Sequence, residues 1–269
     1  MNATKKLVMA AAVVGIVVMM SACASGKTIK QGAEEFSITE AKYYEALELQ
    51  DGGQYFKAIT AWNELLDDEP RFAQGHFDLG LIYDKLNLVP EATEQYELAV
   101  QYAQDSAEMV GKDNPAMEDA ADTRASLALY NTHLGAAYLR AGLVDEGIDA
   151  LNAALKDDPY NATIHYNLSA AYMARKNFDD ALTQADIAVD LTAHPDSKRG
   201  DGLDVEVDRE RLGHYLLRQA ACHLARKEYD KARIALERAE TQCGAEVPAA
   251  MWEKLDAAPK PEEEAGTEG

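Results

Sequence analysis

The stretch NTHLGAAY at residues 131–138 returns 34 residues later, with small changes, as HYNLSAAY at residues 165–172. In both copies a small residue follows nine positions after the tyrosine, Gly147 in the first and Ala181 in the second. Similarity at a fixed spacing of this length is the sequence signature of a protein built from stacked structural units. These residues therefore indicate a repeat architecture, against which the rest of the chain can be indexed.

Working outward from this pair, the same frame fits three more segments. The five units cover residues 39–72, 73–106, 128–161, 162–195 and 213–246. Their eighth and twentieth residues are small: Ala46 and Ala58, Gly80 and Ala92, Gly135 and Gly147, Ser169 and Ala181, Ala220 and Ala232. Small residues on facing helices let the backbones approach closely, while larger neighbours fill the space between units. The pattern predicts five pairs of antiparallel helices.

Two stretches interrupt the frame, and together with the ends of the chain they define its organisation. The predicted segments are a signal peptide (1–22), an anchor and tether (23–37), repeats one and two (38–106), an insert (107–127), repeats three and four (128–195), an insert (196–212), repeat five (213–246), a capping helix (247–256) and an acidic tail (257–269). Pro248 suits the first turn of the capping helix, in which Trp252 and Leu255 are placed to cover the last repeat. The composition of the tail favours disorder.

The length of the unit and the placement of its small residues resemble the tetratricopeptide repeat family, over roughly residues 39–246. The resemblance implies an all-α fold, a superhelical stack of antiparallel helix hairpins with a concave groove lined by the first helix of each unit. Repeats one and five depart from the family pattern, since Glu45 and Gln219 stand where leucine is usual. The resemblance also implies a protein that binds other proteins and is not an enzyme.

The first 22 residues have the pattern of a bacterial export signal. Two lysines precede a mostly apolar run from Leu7 to Met20, which is shorter than the about 20 residues of a membrane-spanning helix. The run ends in MSAC, which resembles the lipobox of bacterial lipoproteins, where the cysteine receives acyl chains such as palmitate. Cys23 is thus the expected lipidation site, and Ala24 after it favours the outer membrane, facing the periplasm, over the inner membrane. The alternative is an ordinary secretory signal that leaves a soluble periplasmic protein.

The charge balance argues against nucleic acid as a partner. The chain carries a formal net charge of −21, and loss of the first 22 residues would remove two lysines and no acid. So acidic a protein is repelled by phosphate backbones. We find no glycine-rich phosphate loop, nucleophile motif or metal-spaced set of His and Cys in the sequence. We therefore expect no catalytic residue, cofactor, metal or small-molecule substrate.

Two cysteines in the fifth repeat invite a disulfide in an oxidising compartment. Cys222 and Cys243 are the tenth and thirty-first residues of their unit. In an antiparallel hairpin of this frame they are out of alignment by about ten residues, or roughly 15 Å of helix rise. A disulfide requires Cα atoms within about 7 Å. The spacing predicts two free thiols.

Family geometry places the second, fifth, sixth, ninth, twelfth and thirteenth residues of a unit on the concave wall. The predicted groove residues are Tyr43, Tyr44, Phe77, Asp84, Lys85, His133, Arg140, Tyr166, Asn167, Met173, Leu217 and Arg218. Aromatic side chains beside a few polar groups suit a peptide, because aromatic anchors supply much of the affinity in such contacts. We expect a lipid-anchored adaptor that binds protein partners in the bacterial envelope.

Within that role, the combination is similar to the lipoproteins that pilot type IV pilus secretins to the outer membrane. It is also similar to lipoproteins that dock cell-wall hydrolases or assist outer-membrane protein assembly, and the sequence does not choose between them. Two further hypotheses stay open, an enzyme or cell-wall binder with a site made by the inserts, and a self-assembling scaffold. The inserts are also placed to fill part of the groove.

Overall fold

The computed structural model describes residues 28–31, 34–113, 119–194 and 207–258. These residues form an all-α repeat fold, as predicted, preceded by one short hairpin. In the hairpin, β1 (Thr28–Gln31) pairs antiparallel with β2 (Glu34–Ser37), where the sequence predicted an irregular tether. The predicted signal peptide, Cys23 and the tail from residue 259 onward lie outside the described residues.

Eleven helices follow the hairpin in the described part of the chain. They are α1 (Ile38–Asp51), α2 (Tyr55–Asp68), α3 (Ala73–Lys85), α4 (Val89–Asp113), α5 (Asp119–Arg140), α6 (Val144–Asp157), α7 (Ala162–Ala174), α8 (Phe178–Ala193), α9 (Arg209–Ala225), α10 (Tyr229–Cys243) and α11 (Ala249–Asp256). Among them, none has both the length and the apolar character needed to cross a membrane.

The chain divides into two compact units between Tyr102 and Ala103, inside α4. The core of the first unit forms where α1, α2 and α3 meet, and its largest fully enclosed side chains include Trp62 and Leu65. The indole Nε1 of Trp62 donates a hydrogen bond to Oε1 of Gln50 at 3.0 Å, so this aromatic anchor has its one polar atom satisfied. Each fully buried leucine contributes about 2 kcal/mol to such a core.

The second unit contains the helix pairs α5–α6, α7–α8 and α9–α10, followed by α11. Leu151, Ile164 and Leu168 fill the space between the first two pairs. At the end of the unit, Leu255 of α11 is 4% exposed and packs on the last pair, with Trp252 partly buried beside it. The two side chains expected to cover the last repeat therefore do so.

The small residues lie where neighbouring helices are closest. All ten of the eighth- and twentieth-position residues are buried. A Cβ added to Gly135 would lie 2.6 Å from Cγ of Leu151, and one added to Gly147 would lie 2.8 Å from Cδ2 of Leu139. Approaches this short would force α5 and α6 apart. The predicted close packing through small side chains is confirmed.

The turn inside each repeat has one geometry throughout. The fifteenth residue of each repeat has a left-handed backbone conformation, with φ of 70° at Gly53, 57° at Asn87, 80° at Gly142, 60° at Lys176 and 63° at Lys227. In the third repeat, Leu143 N–H donates to the carbonyl of Tyr138 at 2.9 Å and Gly142 N–H to that of Leu139 at 3.1 Å. This pair of bonds is the Schellman motif, which satisfies the last carbonyls of a helix. The same pair of hydrogen bonds recurs in all five repeats, so the first helix of every repeat ends at the same position of the 34-residue frame.

The helices reach further than the predicted repeat boundaries. Helix α4 continues to Asp113, inside the stretch predicted as an insert. Helix α5 begins at Asp119, in agreement with the helical character of the sequence from Met117 onward, which predicts a longer first helix for the third repeat. Helix α9 begins at Arg209, four residues before the predicted start of repeat five. The Asp208 side chain caps it by accepting the N–H of Arg211 at 2.9 Å, as short acidic side chains do.

Candidate protein-binding surface

Two aromatic residues predicted for the groove belong to the core of the first unit. Tyr43 is 8% exposed, and its ring meets that of Trp62 edge-on at 5.6 Å. Burial raises the pKa of Tyr43 to about 12. Phe77 is 4% exposed and packs against Tyr96 with ring centroids 5.7 Å apart. The assignment of Tyr43 and Phe77 to an open surface was therefore wrong, because neighbouring helices enclose both rings.

Two other predicted residues of the first unit are at its surface. Tyr44 is 39% exposed, with its ring edge-on to Tyr43 at a centroid distance of 5.6 Å. Lys85, in the last turn of α3, is exposed. The described contacts do not join Tyr44 and Lys85 into one cluster.

In the second unit the structure brings Tyr166 of α7 and Arg218 of α9 together. The Arg218 guanidinium carbon lies 4.8 Å from the centre of the Tyr166 ring, and Nη2 of Arg218 donates a hydrogen bond to the Tyr166 hydroxyl at 3.2 Å. Both side chains are half-buried. The pair joins the first helices of repeats four and five, so two of the predicted groove residues form a single feature.

Sequence reasoning missed Tyr215, the third member of this cluster. Its ring stacks on Tyr166 with centroids 4.9 Å apart and an interplanar angle of 28°. Its hydroxyl lies 3.1 Å from Oγ1 of Thr163, and burial raises its pKa. Tyr215 is the third residue of its repeat, a position that was not counted among the groove positions, although here it contacts the first helix of the preceding repeat. We call Tyr166, Tyr215 and Arg218 the tyrosine–arginine cluster.

The Arg218 guanidinium lies over the uncharged ring of Tyr166, and one of its buried N–H groups has no hydrogen-bond partner in the described residues. That group is Nε–H, while Nη2 is held by Tyr166. A guanidinium over an aromatic face keeps its charge and much of its hydrogen-bonding capacity. The cluster therefore offers a fixed cation beside two aromatic rings.

The other predicted residues of this unit are less closely connected. Met173 is half-buried and packs against Ala181, Ala185 and Cys222, so it belongs to the packing between helices. His133 and Asn167 are half-buried, as is Leu217, and Arg140 is exposed. Cys222 and Cys243 are both free thiols. In the described residues no three His, Cys, Asp or Glu side chains are grouped to hold a metal ion.

Two histidines, His76 and His165, serve the packing of repeats. Nδ1 of His76 lies 2.8 Å from Oε1 of Gln95, and its Nε2 lies 3.1 Å from the carbonyl oxygen of Pro70. His165 has equivalent partners, a glutamine nineteen residues later at 2.7 Å and a proline carbonyl six residues earlier at 3.2 Å. The proline carbonyl only accepts, so Nε2–H of each ring is the group that can donate to it. Each ring ties its own helix pair to the end of the preceding repeat.

Both units thus consist of short helix pairs in a shared 34-residue frame, and this defines a helical repeat protein of the class that serves as a scaffold for protein–protein interaction. The family model for the tetratricopeptide repeat matches residues 43–107 and 132–197. These two stretches of the chain are tetratricopeptide repeats.

Solved structures share this fold at low sequence identity. The crystal structure of MamA is 18% identical, covers 78% of this chain and 96% of its own, and has a TM-score of 0.53. BtubC from P. vanneervenii is 17% identical, with 85% of each chain covered and a TM-score of 0.57. A putative kinesin light chain with TPR-like repeats from Podospora anserina is 15% identical, with 81% and 96% covered and a TM-score of 0.51. No curated protein matched the sequence.

Proposed function

We propose that this protein is a lipid-anchored adaptor of the bacterial envelope, and that it binds a protein partner through the first helices of its second unit. The fold supports a scaffold for protein–protein interaction. The anchoring follows from the lipobox-like sequence ending at Cys23 and from the apolar run before it. Several acyl chains on one cysteine hold a protein firmly, since each buried CH₂ contributes roughly 0.8 kcal/mol. The folded units then face the periplasm from the outer membrane.

The tyrosine–arginine cluster is the observation that carries the choice of surface. It places a guanidinium 4.8 Å from an aromatic ring centre, on the first helices of two consecutive repeats. Tyrosine and arginine are enriched among the residues that dominate binding energy at protein interfaces. Tyrosine supplies a large contact area with few rotamers, and arginine supplies a planar cation with five hydrogen-bond donors. A partner with an acidic side chain opposite Arg218 and an apolar side chain on Tyr166 satisfies both groups.

The partner we propose belongs to a large envelope assembly, and a type IV pilus secretin is the specific candidate. The similarity to secretin-piloting lipoproteins described above supports it. The rival partner is a cell-wall hydrolase, which calls for the same anchoring and the same kind of surface. Identification of the crosslinked partner separates the two.

Site-specific photo-crosslinking in the protein's own cells tests the surface. A photoreactive residue replaces Asn167, next to Tyr166 on α7, and in the control it replaces Glu237, which is exposed on the second helix of repeat five. We expect one major crosslinked protein from position 167, and we expect that this protein is not crosslinked from position 237. Arg218→Gln combined with Tyr166→Ala should reduce that product at least severalfold while far-UV circular dichroism stays unchanged. Equal products from both positions would exclude this surface.

A fractionation experiment tests the anchor separately. The Cys23→Ser variant should move from the membrane fraction to the soluble fraction, because it lacks the sulfur that receives the lipid. An Ala24→Ser variant is the matched control and should stay in the membrane. Retention of the Cys23→Ser protein in the membrane would show that the lipobox interpretation is wrong, whatever the crosslinking result.

A further inference from the structure

A cavity of about 540 Å³ opens in the second unit where α8 ends, α9 begins and α10 ends. Ala193, Val207 and Leu212 give it an apolar floor, and Arg209, Arg238 and Cys243 lie around it. This volume is within the roughly 300–1,000 Å³ that small-ligand sites occupy. The cavity shares no lining residue with the tyrosine–arginine cluster, although Val207, Leu212 and Cys243 pack in the same hydrophobic core as Tyr166 and Tyr215. None of its lining residues was predicted as a groove residue.

The two arginines at this cavity are unpaired. Neither Arg209 nor Arg238 has a hydrogen bond or ion pair in the described part of the chain, although the sequence holds 47 acidic residues and only 26 basic ones. By contrast, Arg211, two residues further along α9, lies 3.4 Å from the carboxylate of Asp208. Both guanidiniums line the same cavity, and no carboxylate of the described residues neutralises either, so both can bind an anion.

The remaining basic side chain at the cavity is already engaged. Nδ1 of His194 lies 3.3 Å from a carboxylate oxygen of Asp190, one turn earlier on α8. The charge available to a ligand is therefore that of Arg209 and Arg238. Guanidinium groups bind carboxylates in a planar, two-bond geometry, which makes a carboxylate the matching anion.

The wall that carries Cys243 is fixed by close packing against α9. A Cβ added to Gly213 would lie 2.9 Å from Cβ of Ala245 and 3.2 Å from Cβ of Cys243. Gly244 between them has a φ of 66° and caps α10. Burial raises the pKa of the Cys243 thiol, whereas the charges of Arg238 and Arg209 lower it. Both guanidiniums therefore act on the thiol, which can report on what occupies the cavity.

We propose that this cavity is a binding site for a carboxylate ligand, with the carboxylate on Arg209 and Arg238 and a compact apolar group on Ala193, Val207 and Leu212. The same chemistry is presented by a free organic acid and by the C-terminal carboxylate of a peptide that ends in an apolar residue. This site does not depend on the proposed groove partner, and it adds a second ligand to the adaptor.

Alkylation of Cys243 tests the cationic character of the cavity. The full chain in detergent is treated with iodoacetate or with iodoacetamide, reagents of similar size that differ in charge, and labelling of Cys243 is followed by peptide mapping. We use the labelling rate with iodoacetate divided by the rate with iodoacetamide, because a change in thiol reactivity affects both rates equally and cancels in this ratio. In the Arg209→Gln/Arg238→Gln variant we expect this ratio to fall about tenfold, as loss of charge-assisted contacts implies. The Arg211→Gln control should leave it unchanged, and an unchanged ratio in the double variant would overturn the proposal.

A titration followed by NMR of the arginine Nε–H signals tests binding directly and separates the two sources. Benzoate is compared with benzamide, and acetyl-Gly-Gly-Leu with its C-terminal amide. A shift of the Arg209 and Arg238 signals by benzoate alone identifies a free organic acid, and a shift by the peptide acid identifies a peptide terminus. Benzamide and the peptide amide should leave the Arg209 and Arg238 signals unchanged. If neither acid shifts these signals at millimolar concentration, the cavity is not a carboxylate site.

Discussion

The left-handed residue in the turn of each repeat is glycine twice, asparagine once and lysine twice. A residue with a Cβ in this conformation crowds the following carbonyl oxygen, at a cost of about 1–2 kcal/mol. At Lys176 the flanking hydrogen bonds persist, since Asn177 N–H donates to the carbonyl of Tyr172 at 2.9 Å. Neither Lys176 nor Lys227 forms an ion pair in the described ranges. At both positions the backbone hydrogen bonds of the turn are present, but no ion pair of the lysine side chain offsets the strain in the described ranges.

We predict that Lys176→Gly and Lys227→Gly each raise the free energy of unfolding by about 0.5–1 kcal/mol, because relief of the left-handed strain exceeds the added flexibility of the unfolded chain. Urea titration followed by circular dichroism measures the change. Arg175→Gly, at the preceding right-handed position, is the control and should be destabilising, because it adds flexibility without relief of strain and also removes the ion pair with Asp145. Two glycine variants no more stable than the parent would show that the lysines pay no conformational cost.

Residues at the same position of the repeat differ in how far they are buried. Tyr43, Phe77 and Tyr166 are each the fifth residue of a repeat. The first two are buried and the third is half-exposed, because the rings of Trp62 and Tyr96 enclose Tyr43 and Phe77. The frame predicts where a residue lies on its helix. It does not predict which distant side chain covers it.

At the scale of helix α3, one buried carboxylate has no basic partner. Asp78 is 6% exposed and accepts a hydrogen bond from Nε2 of Gln74 at 2.9 Å. Burial raises its pKa from the ordinary 3.8 to about 6, against the opposing effect of hydrogen bonds from Gln74 and Gln50. In the native state the carboxyl group therefore binds a proton that the unfolded chain binds only at lower pH. Stability must rise as the pH falls from above 6 towards 3.8.

We predict that Asp78→Asn stabilises the first unit at pH 7.5, by about 2 kcal/mol, because the amide removes the cost of a buried charge. The gain should shrink as the pH falls and vanish below about pH 4, where the parent carboxyl is protonated in both states. Thermal unfolding at a series of pH values measures it. Asp149→Asn on the exposed face of α6 should produce no comparable gain at pH 7.5. A benefit of Asp78→Asn that is equal at every pH would contradict the assignment.

At the scale of the whole molecule, the sequence predicted the repeat fold better than it predicted the binding surface. Small residues at fixed spacing determine helix pairing, since backbone approach depends on residue size alone. The start of α9 was missed because a helix begins at a capping residue such as Asp208, not at the limit of a frame. The cluster around Tyr215 was found only in part, since it depends on contacts between different repeats. The cavity at Arg238 depends on how the ends of three consecutive helices, α8, α9 and α10, pack together.

The end of a repeat array must be closed, because the last helix pair has no following neighbour to cover its apolar face. Here α11 closes the second unit: Leu255 packs against Ala220, Ala232 and Leu236, and all four are buried. Removal of residues 248–269 exposes that face, so we predict a loss of at least about 2–3 kcal/mol of stability, as for removal of one buried leucine. We also expect concentration-dependent association.

Thermal unfolding and light scattering over a range of protein concentrations measure these two effects of removing the cap. Deletion of residues 259–269 alone leaves α11 in place and serves as the control. Leu255→Ala tests the apolar contact without shortening the chain, and it should reproduce most of the loss of stability with little association, since Trp252 still covers part of the face. A chain without α11 that stays monomeric and as stable as the control would show that the last repeat needs no cap.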